Sequence, residues 1–268
     1  MEKLLYVVWK DPAVSVERFK AEMLGPTARR LIDLGARALS VNLADELAAF
    51  AQGLRITHFA QPVAGTVSIW MNTALDRAPI EEALSGVTTR TAGYLVLESM
   101  PIVNTKHVVP AGERTPGICT VAFLEKPPHM TYEAWLDRWQ GHHTKVAIET
   151  QGTFLYVQNA VVRAVTADAP PWVAIVEEAF PAEAATDPMV FYDAGGSKEK
   201  LKENQRRMFE SCKTFIDFNQ IESHPMSSYV IRGFGVGGLC TKTQETRGLS
   251  VFSWVREITS SPSRRGPR

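Results

Sequence analysis

VVWKDPAVSVERF (residues 7–19) and FLEKPPHMTYEAW (residues 123–135) lie 116 positions apart and align without a gap. Lys10 falls on Lys126, Pro12 on Pro128, Ser15 on Thr131, Glu17 on Glu133 and Phe19 on Trp135. The same offset brings Gly25 onto Gly141 and Ile32 onto Ile148, then LSVNLA (39–44) onto LYVQNA (155–160). Single matches are cheap, but one offset sustained over about forty residues marks an internal repeat.

Outward from that stretch the two halves keep their order while differing in length. Apolar strands TVSIWM (66–71) and WVAIVEEAF (172–180) correspond, as do the helical stretches DRAPIEEALSG (76–86) and SKEKLKENQRRMFESCKTF (197–215). YLVLESMPIV (94–103) and YVIRGF (229–234) close the halves as strands. Ser15 and Thr131 are good N-caps, each with a glutamate two residues on that favours the helix dipole. Each half therefore reads β-α-β-β-α-β, the ferredoxin-like unit. Helices cover only one face of such a sheet, so the other face needs a partner. The expected fold is α+β, with two tandem ferredoxin-like βαββαβ repeats set sheet against sheet as a pseudo-twofold barrel in one chain. The expected boundaries are 1–103 for the first repeat, 104–116 for a polar Gly/Pro linker, 117–235 for the second repeat and 236–268 for a flexible tail.

Composition excludes several classes. Lys+Arg and Asp+Glu both number 29, so no basic excess points to nucleic acid. Three well-separated cysteines (Cys119, Cys212 and Cys240) form neither a disulfide framework nor a zinc spacing, which implies a reducing, cytoplasmic setting. The apolar run of MEKLLYVVWKD stops at Lys10, too short for a leader or a membrane span, and reads as a first strand. GFGVGG (233–238) follows the last strand and opens no helix, so it fails as a dinucleotide fingerprint.

The chemistry concentrates in WLDRWQGHHTKVA (135–147). At about 100° per residue, Tyr132, Trp135, Leu136, Trp139 and Val146 share one stripe, and His142 and His143 flank it. If the helix runs through Gly141, both imidazoles border apolar surface. Histidine titrates near neutral pH, and an apolar setting with one hydrogen-bond partner tunes it for general acid–base catalysis. The first half carries Pro26 and Thr27 at the matching positions, which suggests one working half and one degenerate half.

The W-x-x-H-H helix, its MTYEAW start and the following FLYVQNAV strand resemble the EthD-like members of the dimeric α+β barrel superfamily. Trp139, His142 and His143 match that motif, while Lys145 stands where proline is common. The resemblance covers roughly 117–234 and implies a dimeric-type α+β barrel with pockets between sheet and helices. It also implies hydrophobic, often aromatic or polyketide-like substrates, catabolic pathways, and chemistry without a metal or organic cofactor.

Further candidates line possible pockets. Tyr156 and Gln158 share a strand face, with Ser40 and Asn42 as their first-half equivalents. Tyr6, Trp9, Trp70 and Phe123 are candidate apolar walls, and Tyr94 and Tyr229 occupy matching closing strands, which favours a shared structural role. His58 sits in an insert at 44–65 that the second half lacks, a candidate lid. His107, His129 and His224 show no metal spacing, and no metal is expected. The leading expectation is a cofactor-independent lyase or isomerase acting on a hydrophobic aromatic molecule, with His143 or His142 as acid–base. Tyr156, Gln158, Asn42, Tyr6, Trp9, Trp70, Trp139 and His58 are its expected substrate contacts. The alternatives are a cofactor-free monooxygenase or polyketide-type cyclase, and a non-catalytic accessory protein that binds hydrophobic ligands. Exposed sheet edges or outer helices offer a homodimer contact.

Overall fold

A computed structural model describes residues 1–234; the expected tail, most of the GFGVGG stretch and Cys240 lie outside the described residues. The first half supplies strands β1 (Glu2–Trp9), β2 (Ala38–Leu43), β3 (Gly65–Met71) and β4 (Arg90–Ile102). The second supplies β5 (Ile118–Leu124), β6 (Leu155–Ala164), β7 (Ala174–Phe180) and β8 (Glu222–Arg232). Helices α1 (Val16–Glu22), α2 (Ala28–Asp33) and α3 (Ala78–Ser85) belong to the first half. Helices α4 (Tyr132–Leu136), α5 (Thr144–Thr150), α6 (Pro188–Phe191) and α7 (Lys198–Cys212) belong to the second.

All pairings are antiparallel, and the strands close into a barrel in the order β1-β3-β2-β8-β5-β7-β6-β4. Each half contributes a four-stranded arc of like order, β4-β1-β3-β2 and β8-β5-β7-β6. The expected barrel is present, and only the picture of sheet set against sheet is refined. The arcs join at their edges, β2 to β8 and β4 to β6, so neither keeps a free edge for a partner chain.

Period-two alternation sorts the side chains. Leu5, Val7, Trp9, Tyr94, Val121, Phe123, Ile175 and Met226 fill the barrel interior together with Trp172 from the loop before β7. Leu4, Tyr6, Val41, Val67 and Ile69 point outward against Phe19, Leu31 and Ile80 of the first-half helices. Tyr156, Ala174 and Val176 point outward against Trp135, Trp139 and Met208 of the second-half helices.

The repeated residues do repeated work. Ser15 and Thr131 cap α1 and α4 by accepting from the backbone N–H of Arg18 and Ala134. The Lys10 ammonium donates to the Val14 carbonyl, and Lys126 does the same to Met130. Each half then widens into a π-helical turn, Met23–Thr27 and Asp137–His143, around the aligned Gly25 and Gly141.

Beyond that turn the ungapped register slips by one. Asn42 and Asn159 occupy equivalent inward positions, because Asn42 pairs with Thr66 as Asn159 pairs with Ile175. Ser40 and Asn42 are therefore not the counterparts of Tyr156 and Gln158, which face the helices. Tyr94 and Tyr229 are likewise not equivalent. Tyr94 faces inward and donates to the Pro170 carbonyl at 2.8 Å, whereas Tyr229 faces outward and donates to Asp45 at 2.6 Å. β8 begins earlier than its sequence suggests and places His224 and Pro225 within the strand. Pro225 is tolerated there because pairing with β2 starts only at Ser227.

The insert folds as a 3-10 helix (Glu46–Leu54) followed by a bridge between Ile56 and Ser223. Phe59 then plugs one barrel end, edge-on to Trp9 at 5.4 Å and to Trp172 at 6.1 Å. Gly117 starts the second half at φ +97°, and a Cβ there would lie 2.1 Å from the Phe180 carbonyl oxygen. Gly117→Ala combines a left-handed backbone with a backbone clash and is expected to cost about 1–3 kcal/mol or more, measured by urea unfolding.

Candidate active site

The second-half layer between helices and sheet is built on two tryptophans. Trp135 and Trp139 are both almost fully buried, with ring centres 5.0 Å apart. The Trp135 indole N–H donates to the Phe215 carbonyl at 2.9 Å, fixing α4 against the end of α7. The π-helical turn then sets the histidines. His143 turns inward, 8% exposed, with Nδ1 3.0 Å from the Ser211 hydroxyl and its ring 4.7 Å from Phe215. His142 is exposed to solvent. The expectation that both imidazoles border the apolar stripe assumed a regular α-helix, and the widened turn leaves only His143 there.

Burial, with the neighbouring His142 adding to it, lowers the His143 imidazole to about 4. It is therefore neutral through the physiological range. A base weakened by folding stabilises above its unfolded value near 6.5, and that stability is lost as pH falls through about 4. His143→Phe is expected to remove roughly 3 kcal/mol of acid sensitivity between pH 7 and 4, measured by urea unfolding across pH.

The sheet face beneath carries the second part of the site. The Tyr156 hydroxyl accepts from Gln158 Nε2 at 2.9 Å, and the same amide reaches Thr144 Oγ1 at 2.7 Å. Burial raises the Tyr156 phenol well above its ordinary value, and the charge of Glu178 adds to this. Glu178 lies opposite Tyr156 across the β6–β7 ladder and opposite Thr120 across β5–β7. Burial pushes its carboxyl up to about 7. No hydrogen bond or ion pair steadies that carboxyl among the described residues, and the buried Thr120 hydroxyl beside it also lacks a partner. Burial and then the Glu178 charge push the thiol of Cys212, at the end of α7, up to about 12. Trp139, Tyr156, Gln158 and His143 thus share one layer with Glu178 and Ser211.

The other expected contacts fall elsewhere. Tyr6 is buried under α3, 3.3 Å from Glu81. Trp9 lies inside the barrel, its indole N–H bonded to the Gln61 carbonyl at 3.1 Å. Asn42 also faces the interior, where it donates to Thr66 at 3.1 Å and to Glu177 at 2.8 Å. Trp70 stands at one barrel end with the Lys3 ammonium 4.6 Å from its ring centre. His58 sits at the opposite end, 3.2 Å from Glu222, which also binds His224 at 3.0 Å. These residues do not form one site.

Glu177 and Glu178 escaped the sequence reading, although two glutamates inside the apolar strand AIVEEAF were a visible anomaly. Alternation sends one into the barrel and the other toward the helices. Ser211 carried no signal, since only the packing of α7 brings it to His143. Among the described residues no three His, Cys, Asp or Glu side chains converge as metal ligands would. No described helix is long and apolar enough to cross a membrane. Open clefts of about 360, 550 and 190 Å³ lie beside the insert, on the outer face near Trp172 and at the Trp70 end of the barrel, and His143 lines none of these three.

No protein-family model and no curated protein matches the sequence. Solved structures do. A crystal structure of an anthrone oxidase-like protein superposes with a TM-score of 0.50 at 11% identity, covering 89% of this chain and 96% of that one. A mutant chlorite dismutase from Candidatus Nitrospira defluvii gives a TM-score of 0.42 at 10% identity, covering 84% and 90%. At these identities the likeness concerns the fold alone, a closed eight-stranded antiparallel barrel with helices packed on its outside.

Proposed function

We propose that the protein is an enzyme that moves a proton on a hydrophobic, aromatic small molecule without a cofactor, in a lyase or isomerase reaction at the second-half layer. The observation that carries this reading is Glu178, a partly buried carboxyl with no partner among the described residues, raised to about 7 by burial. A carboxyl at that value exchanges protons readily at neutral pH, which suits a general acid–base. The carboxylate takes a proton from an activated carbon, and the resulting acid returns it to another atom of the same substrate. His143, neutral and held by Ser211, supports the developing negative charge as a hydrogen-bonding partner. Trp139 and Tyr156 supply apolar wall, and Gln158 holds the phenol. Proton transfer of this kind needs no electron carrier.

The same reading takes the chain as a duplicated ferredoxin-like unit whose second half is EthD-like and whose first half is degenerate. It places the protein in aromatic catabolism and in the cytoplasm. A homodimer contact belongs to the outer face of β4 and β6, where Leu97 and Val162 are 69% and 61% exposed. The fold carries no reaction by itself. The test is product formation by metal-stripped protein from aromatic ketones with an acidic C–H. Anthrone belongs in that set because of the like-folded anthrone oxidase-like protein. Turnover that is equal under air and argon supports the lyase or isomerase, and strict dependence on oxygen replaces it by a monooxygenase. Binding without any product replaces it by an accessory protein, a reading that the tight packing of His143 against Phe215 favours.

A further inference from the structure

The cleft beside the insert has no place in the proton-transfer reading. It measures about 360 Å³ and lies between the start of α1, the end of β2 and the insert. Phe19, Leu43 and Val63 form its apolar wall, and Lys10, Lys20 and Arg55 bring three cations against one lining carboxylate, Asp45. Size and lining are those of a small-molecule site, mostly apolar with a few fixed polar groups.

The three cations differ in what already satisfies them. Lys20 is paired with Asp45 and Glu46. Lys10 spends its donors on the carbonyls of Asp11 and Val14, the same structural use that Lys126 makes of its carbonyls. Arg55 has no ion pair or side-chain hydrogen bond among the described residues, and its buried Nε–H has no acceptor. An unpaired guanidinium at an apolar wall is costly, and a bidentate carboxylate is its natural complement.

The backbone that carries Arg55 is well held. The Arg55 N–H closes the 3-10 helix on the Gln52 carbonyl at 3.1 Å, and Ile56 next to it makes both backbone bonds of the bridge to Ser223. Gln61 ties the far side of the insert to the Lys10 carbonyl. Because the backbone is already fixed, binding there adds little loop-ordering cost.

We propose that this cleft binds an amphipathic monocarboxylate, its apolar body against Phe19 and Val63 and its carboxylate on Arg55. The site is separate from the Glu178 layer and stands whether or not that layer is catalytic.

The test uses 2-naphthoate and its neutral isostere 2-naphthamide, titrated calorimetrically into the whole protein. Naphthoate is expected to bind about tenfold to a hundredfold more tightly than the amide, the usual worth of a hydrogen bond to a charged group. Arg55→Gln should erase that difference while leaving amide binding unchanged, and Val16→Trp, which fills the cleft, should weaken both. On arginine-labelled protein the Arg55 Nε–H resonance should shift on addition of naphthoate and stay in place with the amide. Equal affinity for the two compounds, no naphthoate binding at millimolar concentration, or full naphthoate affinity in Arg55→Gln would each overturn the proposal. The resonance shift is read on unaltered protein, so it decides the matter even if a variant folds poorly.

Discussion

Lys3→Met is expected to destabilise the barrel by about 3–5 kcal/mol, because it strips a buried cation from two carboxylates. The Lys3 ammonium lies 2.5 Å from Glu98 and 3.7 Å from Glu177, with only 4% of its side chain exposed. Glu177 also accepts from Asn42 at 2.8 Å and from Asn159 at 3.0 Å. The cluster therefore joins residues of both halves inside one closed sheet. Removing the cation leaves Glu98 and Glu177 without their counter-charge, with the amides of Asn42 and Asn159 as the remaining partners of Glu177, and stranding charge in this way costs more than the pair contributes when intact. Urea unfolding should show a lower midpoint with an unchanged slope. Lys3→Met combined with Glu98→Gln and Glu177→Gln should recover much of the loss, since no buried charge is then stranded. An additive triple variant would mean that the three groups do not act as a cluster.

Glu178→Gln is expected to lower turnover by about 10²–10⁴-fold, the usual contribution of a positioned acid–base. The amide keeps the shape of the side chain and removes its proton, so substrate affinity should change far less than rate. Stability should move in the opposite direction. A carboxyl raised from near 4.5 to about 7 binds more protons folded than unfolded, so its contribution is fully present below 4.5 and is lost as pH rises through 7. That loss is roughly 3 kcal/mol. His143 supplies a term of similar size and opposite sign over the same range. The two nearly cancel in the wild type, so its stability should be almost flat between pH 4 and 7 as far as this pair is concerned. Glu178→Gln should grow more stable with rising pH, and His143→Phe less stable.

Much of the fold was legible because residues aligned at the offset of 116 perform like tasks in the two halves. Lys10 and Lys126 tie the same corner, Ser15 and Thr131 cap the same helix, and Gly25 and Gly141 mark the same widened turn. What the repeat could not convey was how the arcs meet, since edge pairing between β2 and β8 depends on strand ends far apart in sequence. The one-residue slip after the turn was invisible for a related reason. A shift of one exchanges the two faces of a strand, and only pairing with β3 and β7 reveals that Asn42 matches Asn159. Helical periodicity placed both histidines beside the apolar stripe, and the π-helical turn that leaves only His143 there has no signature in spacing alone. Glu178 was overlooked because a glutamate in a strand ordinarily faces water. Here α7 covers the outer face of the sheet and leaves that carboxyl beneath it.

Proton transfer by Glu178 is tested most directly by solvent deuterium exchange into an aromatic ketone, followed by NMR, with wild-type protein, Glu178→Gln and His142→Ala. Exchange is expected above the protein-free rate, with a pH dependence rising through about 7, a loss of about 10²–10⁴-fold in Glu178→Gln and no loss in His142→Ala. Exchange that survives in Glu178→Gln, or that disappears in His142→Ala, would contradict the assignment of proton transfer to the buried layer of the second half.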